Sequence, residues 1–165
     1  QYVHEGGVAS PFLVHWPAGI PEPGRIVDGQ AFHVIDIMPT LCELAETSYP
    51  ERHQSRPVKP TPGISMVPYW TGEVSGPPKR TLYWQHLNHS AVRHGDWKLV
   101  TLNDRDPARW ELYDLSEDRS ETENVIDQHP QLARELRDKW RDWAEQSNVL
   151  PFPEERGKSK PNPIP

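Results

Sequence analysis

The sequence predicts an α/β chain that ends in a small four-stranded antiparallel sheet packed on one long helix. Three observations predict this fold class. A continuous apolar run near the start, bounded by Gly and Pro, is typical of a strand covered on both faces, as in a parallel sheet. Four later segments have the composition of strands, and two of them flank a Gly-Asp pair that favours a hairpin turn. A long segment after them carries an apolar stripe at helical spacing.

The first part of the chain is predicted to contain one strand and one helix. The strand spans residues 8–16, with its apolar centre at Phe12–Val14. The helix spans Val34–Glu46, and Asp36 is its candidate N-cap. Its apolar face consists of Ile35, Met38, Leu41, Cys42 and Ala45. This spacing places the five side chains on one face of the helix.

Loops rich in proline connect this helix to the predicted sheet, with one short helical turn at Ser65–Trp70. The four strand candidates are Thr81–His86, Ser90–His94, Trp97–Leu102 and Trp110–Leu115. Asp96 and Lys98 flank the hairpin turn and are expected to serve it. The acidic run Glu117–Glu123 lacks the alternating oxygen ligands and the central glycine of a calcium loop, so a solvated loop is expected there.

The last predicted helix spans Pro130–Gln146, and proline suits its first position. Leu132, Leu136, Trp140 and Trp143 lie along one stripe of this helix. Helical spacing alone explains the two tryptophans as core residues, without any ligand. The segment that follows has no periodicity and is predicted to be an extended tail.

Composition excludes several classes of function. The net charge is −6, the isoelectric point is about 5.7, and the basic residues are scattered, which disfavours a nucleic-acid partner. The single cysteine, Cys42, excludes an intrachain disulfide framework and a Cys-rich zinc site. No window approaches the ~20 apolar residues of a membrane span. The chain begins at Gln1 without a signal-peptide pattern, and we expect its numbering to start inside a longer protein.

Six segments carry a family resemblance, in order and at sensible spacing. They are His4–Ile20 with its Glu-Gly-Gly and Trp-Pro, His33–Leu41 with Asp-x-x-Pro-Thr-Leu, Gly63–Pro68, Ala91–Val100, Glu111–Asp118, and Glu121-x-x-Asn124 before Pro130. Together they resemble the C-terminal portion of sulfatases, the arylsulfatase-like enzymes of the alkaline-phosphatase-like superfamily. The resemblance implies three regions: residues 1–72 as the end of a large α/β domain, 80–147 as a small C-terminal subdomain, and 148–165 as a tail.

The same resemblance implies a sulfuric ester hydrolase that uses formylglycine and calcium. In that family formylglycine forms within a Cys/Ser-x-Pro-x-Arg motif, whereas Cys42 is followed here by Glu-Leu-Ala. The family's metal ligands are also absent, and its sulfate-binding lysine would fall just upstream of Gln1. We therefore expect no catalytic residue and no metal ligand in this chain. The implied partners are a preceding N-terminal sulfatase domain and a sulfated small molecule or carbohydrate, in the periplasm or outside the cell.

Five residues are candidates for the substrate pocket. His4 and Glu5 directly follow the expected position of that lysine, and His86, His89 and Arg93 replace or flank polar positions of the related strand end. His4 has the alternative of a hydrogen-bonded histidine at a strand start. For Glu5 the favoured alternative is a backbone turn in which Gly6 and Gly7 supply positive φ. For the other three, solvated strand-edge positions are the favoured alternative. Two histidines three residues apart lack further metal ligands at a recognisable spacing.

Two other functions remain open at this stage. One is a non-catalytic binding or structural module derived from a sulfatase, and the other is a phosphonate or phosphate ester hydrolase of the same superfamily. In either case we expect the isolated chain to be inactive towards sulfate esters. We also expect it to be poorly stable, because the strand at Phe12–Val14 would lack its sheet neighbours.

Overall fold

The computed structural model describes residues 2–22, 24, 26, 31–103, 105–106 and 109–150. From residue 151 onwards the predicted tail lies outside the described residues. The chain divides into two compact units: residues 2–10 together with the part from residue 79 onwards, and residues 11–78. The first unit thus combines the start of the chain with the segments that follow residue 79.

The larger unit contains a four-stranded antiparallel sheet. Its strands are β3 (Thr81–His86), β4 (His89–His94), β5 (Trp97–Thr101) and β6 (Trp110–Asp114), and they pair in the order β3-β4-β5-β6. Each strand pairs with its neighbour in sequence, as expected for short hairpin connections. Leu87 and Gly95 occupy the turns with φ of 57° and 62°. The predicted sheet and its order along the chain are confirmed.

Helix α4 (Pro130–Gln146) covers one face of this sheet, as predicted. Leu136 and Trp140 are 1% and 4% exposed and pack with Val92 of β4, Leu99 of β5 and Leu112 of β6. The Trp140 ring meets Trp110 edge to face at 5.6 Å between ring centres. Because full burial of one such apolar side chain stabilises a fold by about 1.5–3 kcal/mol, this interface supplies much of the unit's stability.

The start of the chain covers the opposite face of the sheet. Val3 is 3% exposed and packs with Ala91, Val100 and Tyr113, whose side chains point away from α4. One helical turn, α1 (Glu5–Val8), follows directly. The sheet is therefore buried on both faces, by the helix on one and by residues 2–8 on the other.

Gly6 and Gly7 lie within α1, so the expected turn with positive φ is wrong for both. Gly7 has a different physical requirement. A Cβ atom on Gly7 would lie 2.0 Å from the carbonyl oxygen of Tyr2, whereas one on Gly6 would meet nothing within 4 Å. The absence of a side chain at Gly7 thus permits the chain to pass close to its own backbone.

The second unit is described by itself. It contains a 3-10 turn at Val34–Asp36, helix α2 (Ile37–Leu44), a two-residue hairpin of β1 (Arg52–His53) and β2 (Arg56–Pro57), and helix α3 (Val67–Trp70). The predicted helix and the predicted turn at Ser65–Trp70 are thus present in shorter form. The small hairpin lies in the segment expected to be a loop.

Asp36 occupies the N-cap position of α2, but its side chain makes no capping hydrogen bond to that helix and instead completes a capping box with His33 at the 3-10 turn. Its carboxylate accepts hydrogen bonds from the backbone N–H of His33 at 2.7 Å and of Ile64 at 3.0 Å. Thr40 donates to the Asp36 carbonyl oxygen and accepts from the Met66 N–H at 2.9 Å. Asp36 and Thr40 are 0% and 2% exposed. These two polar side chains therefore join the helix to the segment around residue 64.

The predicted apolar face of α2 is largely exposed. Of its five residues, Met38, Leu41 and Ala45 are exposed, and Ile35 and Cys42 are half-buried. The buried side of the helix instead carries Thr40, next to the buried Asp36, because their hydrogen bonds to residues 64 and 66 hold that side inward. The predicted helix is present, but its apolar stripe is not its most buried side.

The predicted strand at residues 8–16 is also wrong for this structure. Residues 9–16 have no regular secondary structure, and Phe12 and Leu13 are 57% and 88% exposed. A strand requires a neighbour that satisfies its backbone N–H and C=O groups, and no described strand pairs with this segment. Phe12 stacks on the Trp70 ring, with 6.3 Å between the ring centres, and Val14 is half-buried.

Candidate functional site

A pocket lies in the larger unit between the start of the chain and the end of β3. Its volume is about 260 Å³. The start of the chain contributes Tyr2, Val3, Gly7 and Val8, and β3 contributes Trp84, Gln85 and His86. Its lining combines the aromatic rings of Tyr2 and Trp84 with the polar side chains of Gln85 and His86.

His86 and His89 face each other across the tight turn between β3 and β4. Tyr2 stacks on the His89 ring, with the ring centres 5.4 Å apart and the planes 13° from parallel. The turn residue Leu87 has φ of 57° and is 75% exposed. The stack therefore joins the start of the chain to the hairpin at the rim of the pocket.

A buried charge cluster lies on the same face of the sheet. The Lys98 ammonium is 2.8 Å from Glu5 Oε1 and 2.9 Å from Glu121 Oε1. The side chains of Lys98, Glu5 and Glu121 are 0%, 11% and 2% exposed. Glu121 also accepts a 2.5 Å hydrogen bond from the backbone N–H of Glu5 through its other oxygen. Three distant segments of the chain thus meet at one ammonium group.

Arg93 approaches this cluster rather than the pocket lining. Its guanidinium is 4.0 Å from Glu5 Oε2, and its Nε donates to the Gly95 carbonyl oxygen at 2.9 Å. In the sheet register Arg93 is directly opposite Lys98. Two cations and two carboxylates therefore share this region of the sheet face, which balances its charge.

His4 contacts a different pair of residues. Its Nε2 lies 3.6 Å from Glu111 Oε2, and its ring meets Tyr113 edge to face at 6.3 Å. The Tyr113 hydroxyl donates to the same Glu111 oxygen at 2.9 Å. Burial, followed by this hydrogen bond and the charge of Glu111, raises the pKa of Tyr113 far above its usual value. Tyr113 is therefore a neutral donor over the usual working range of pH.

Asp118 organises the acidic loop that carries Glu121. Its carboxylate accepts hydrogen bonds from the backbone N–H groups of Thr122 at 2.7 Å and Glu123 at 2.8 Å. The bond from Glu123 is the main cause that lowers the pKa of Asp118 below its ordinary value of 3.8. Glu121 has φ of 55°, a conformation that is uncommon for residues other than Gly and Asn. The loop therefore holds Glu121 in a strained backbone conformation that directs it towards Lys98.

One interpretation of a charged residue is wrong: Lys98 is fully buried with two carboxylates and does not serve the hairpin turn. The acidic run is exposed at Glu117 and Glu123, as expected of a solvated loop, but the Glu121 side chain within it is only 2% exposed. The alternation of side chains in β5 could have indicated that Lys98 is buried, because it places this lysine on the same face as the buried Val100. Nothing in the local pattern indicates that Glu5 and Glu121 are its partners.

The structure places the five predicted pocket residues in three groups. His86 lines the pocket and His89 lies at its rim; Glu5 and Arg93 belong to the charge cluster; His4 contacts Glu111 and Tyr113. Within the described ranges, no group of three or more His, Cys, Asp or Glu side chains is placed to hold a metal ion. In that same part of the chain, no helix is long and apolar enough to cross a bilayer.

A comparison with known protein families gives a match over most of this chain. The family model described as N-sulphoglucosamine sulphohydrolase, C-terminal, matches residues 1–146. An uncharacterized sulfatase of Schizosaccharomyces pombe is 31% identical over 160 residues, which cover 93% of this chain and 28% of the relative. An N-acetylgalactosamine-6-O-sulfatase of Bacteroides thetaiotaomicron is 31% identical over 149 residues, covering 81% of this chain and 27% of the relative.

Solved structures agree with this assignment. A Bacteroides thetaiotaomicron protein from work on the metabolism of multiple glycosaminoglycans has a TM-score of 0.50 and 27% identity, covering 65% of this chain and 24% of that protein. Ps i-CgsB in complex with a neocarrahexaose has a TM-score of 0.53 over 75% of this chain and 30% of that protein. At 20% identity this second similarity concerns the fold alone. The chain spans less than a third of the length of the relatives that it matches.

Proposed function

The chain belongs to the N-sulphoglucosamine sulphohydrolase C-terminal family, and we therefore propose that it is part of a sulfuric ester hydrolase. It would form the C-terminal portion of the enzyme, with the nucleophile and the metal site in an N-terminal sulfatase domain. The match over residues 1–146 is the single observation that carries this proposal. Sulfatases among the relatives, at 31% identity over most of the chain, support it.

Formylglycine and calcium would be supplied by the preceding domain. The described residues do not fit a calcium site, because no three acidic or histidine side chains converge. Cys42 also lacks the Pro and Arg of the formylglycine motif. On this proposal the residues of the present chain do not carry out the chemical step. Their part is to shape the substrate site and to select what enters it.

We assign the pocket beside β3 to the part of the substrate that leaves with the ester oxygen. Tyr2 and Trp84 present aromatic surface, and Gln85 and His86 present polar groups that can hydrogen-bond to hydroxyls. This combination suits a sulfated carbohydrate. The acetylgalactosamine 6-O-sulfatase among the relatives supports the same class of substrate.

The test uses the full-length protein, that is, this chain together with the sulfatase domain encoded upstream. With calcium present, we expect hydrolysis of sulfated monosaccharides and of an aryl sulfate, and no turnover by the isolated 165-residue chain. Turnover of phosphate or phosphonate esters in preference to sulfate esters would support the related hydrolase instead. If the upstream sequence encodes no sulfatase domain, a non-catalytic module is the correct description.

The variant His86→Ala tests the assignment of the pocket. We expect its KM for a sulfated sugar to rise by about tenfold, which corresponds to the loss of about 1.4 kcal/mol of binding, with little change in kcat. His94→Ala is the matched control, because His94 lies at the end of β4 that is remote from His86 and forms a hydrogen bond with Thr81. An equal effect of both substitutions, or none from His86→Ala, would exclude His86 from the substrate site.

A further inference from the structure

The Lys98 ammonium contacts the segments that form the two walls of the pocket. Its ammonium binds Glu5, which begins the helical turn that brings Gly7 and Val8 to one wall. The same ammonium lies 5.8 Å from the centre of the Trp84 ring, which belongs to the other wall. A cation at this distance from an indole ring is attracted by the ring's electron density. One buried charge therefore contacts both sides of the pocket.

The contacts of Lys98 depend on both of its carboxylate partners. A buried ammonium group without partners is strongly unfavourable, so the lysine can occupy this position only when its carboxylate partners Glu5 and Glu121 are in place. Glu121 in turn accepts the backbone N–H of Glu5 at 2.5 Å. The side chain and the backbone of Glu5 are thus both fixed. The Tyr2–His89 stack and the packing of Val3 and Val8 hold the same segment at other points.

We propose that Lys98, together with Glu5 and Glu121, is a positioning residue for the substrate pocket. The cluster fixes residues 2–8 against β3, and the pocket has its shape only while that segment is fixed. The identity of the ligand rests on the proposed sulfatase function. The positioning of residues 2–8 by Lys98 does not depend on the proposed function. Two separate measurements therefore test the positioning and the function.

The first measurement concerns the position of residues 2–8 in the 165-residue chain. Amide exchange at Glu5 is compared by NMR in the wild type, in Lys98→Met and in the control Lys139→Met, which changes an exposed lysine of α4. We expect Lys98→Met to lose the protection of the Glu5 amide while amides of β4 and β5 remain protected. Unchanged protection at Glu5 in Lys98→Met would overturn the proposal.

The second measurement concerns the site in the full-length enzyme. If Lys98 positions the pocket, Lys98→Met raises KM for the sulfated substrate by about 10- to 100-fold and leaves kcat per folded molecule nearly unchanged. If Lys98 only stabilises the fold, the variant lowers the active fraction and therefore the apparent kcat, with KM unchanged. This second pattern would overturn the positioning role.

If Lys98→Met does not fold, the milder variant Glu5→Gln is measured in its place. Glu5→Gln removes the charge on the segment while the pair of Lys98 and Glu121 remains. It should show the same loss of exchange protection at residue 5 and the same rise in KM, and the absence of both would overturn the proposal. If the wild-type full-length protein hydrolyses no sulfate ester, the proposed function is wrong, and the exchange measurement still decides the role of Lys98.

Discussion

Buried polar side chains hold distant parts of this chain together. Asp36 binds the backbone of residue 64, and Lys98 binds Glu5 and Glu121, which lie on opposite sides of it in the sequence. A buried polar group without a partner is costly, so each of these contacts restricts where the neighbouring segment can lie. Single residues therefore decide the geometry of the candidate site as much as its apolar core does.

Asp118 gives a prediction of pH dependence. Its pKa is lowered in the folded chain, so the stability that its carboxylate contributes is present above pH 3.8 and is lost as pH falls through the lower, folded-state pKa. We expect the amide signals of Thr122 and Glu123, which donate to it, to titrate with a midpoint below 3.8. NMR spectra recorded at decreasing pH provide this measurement.

Asp118→Asn is the control for this titration, because asparagine keeps an acceptor oxygen but carries no titrating proton. In this variant the acid titration of the two amides should disappear. A wild-type midpoint at or above 3.8 would show that the hydrogen bonds from Thr122 and Glu123 do not stabilise the carboxylate as described.

Among the elements, the short turn α1 has the tightest steric requirement. Gly7 passes the Tyr2 carbonyl oxygen so closely that any Cβ atom would collide with backbone. Backbone cannot move aside as the end of a flexible side chain can. The position of α1 against the sheet therefore requires glycine at residue 7 but not at residue 6.

Gly7→Ala and Gly6→Ala form a matched pair that tests this requirement. We expect Gly7→Ala to destabilise the fold by about 1–3 kcal/mol through overpacking. Gly6→Ala should be neutral or stabilise it by up to about 1 kcal/mol, because alanine reduces the freedom of the unfolded chain. Urea denaturation of the two variants measures both changes. Equal destabilisation by both would show that the two glycines share a common role.

At the scale of the whole molecule, the two units have unequal cores. The unit with the sheet buries two apolar clusters, one on each sheet face. Within the described part of residues 11–78, Met66 is the only apolar side chain that is buried, and Phe12, Leu13, Val34 and Leu41 are exposed. Since apolar burial is the main favourable term in folding, residues 11–78 have much less of it.

Hydrogen exchange of the isolated chain tests this difference. We expect amides in residues 80–146 to be protected and those in residues 11–78 to exchange much faster, because local stability follows the density of buried apolar contacts. In the full-length protein, the proposed N-terminal domain would cover the exposed apolar residues and slow exchange in 11–78. Equal protection of both units in the isolated chain would contradict this account.

The later sheet, the helix α4 and the sulfatase family could all be predicted from the amino-acid sequence. These follow from local patterns: alternation of side chains in β3–β6, helical spacing in α4, and motifs in a fixed order along the chain. The alternation in β5 also puts Lys98 on the same face as Val100, although Lys98 was expected to serve the hairpin turn. Such patterns extend over a few residues and are visible without knowledge of neighbours.

Three features could not be predicted from local patterns: which side of α2 is buried, where residues 9–16 lie, and which carboxylates contact Lys98. Glu5 is 93 residues from Lys98 in the sequence, and no periodicity connects positions so far apart. The side of α2 that is buried depends on hydrogen bonds from Asp36 and Thr40 to residues 64 and 66, not on its apolar stripe. Long-range pairing of polar groups, which only the folded chain brings together, therefore determined the geometry of the candidate site.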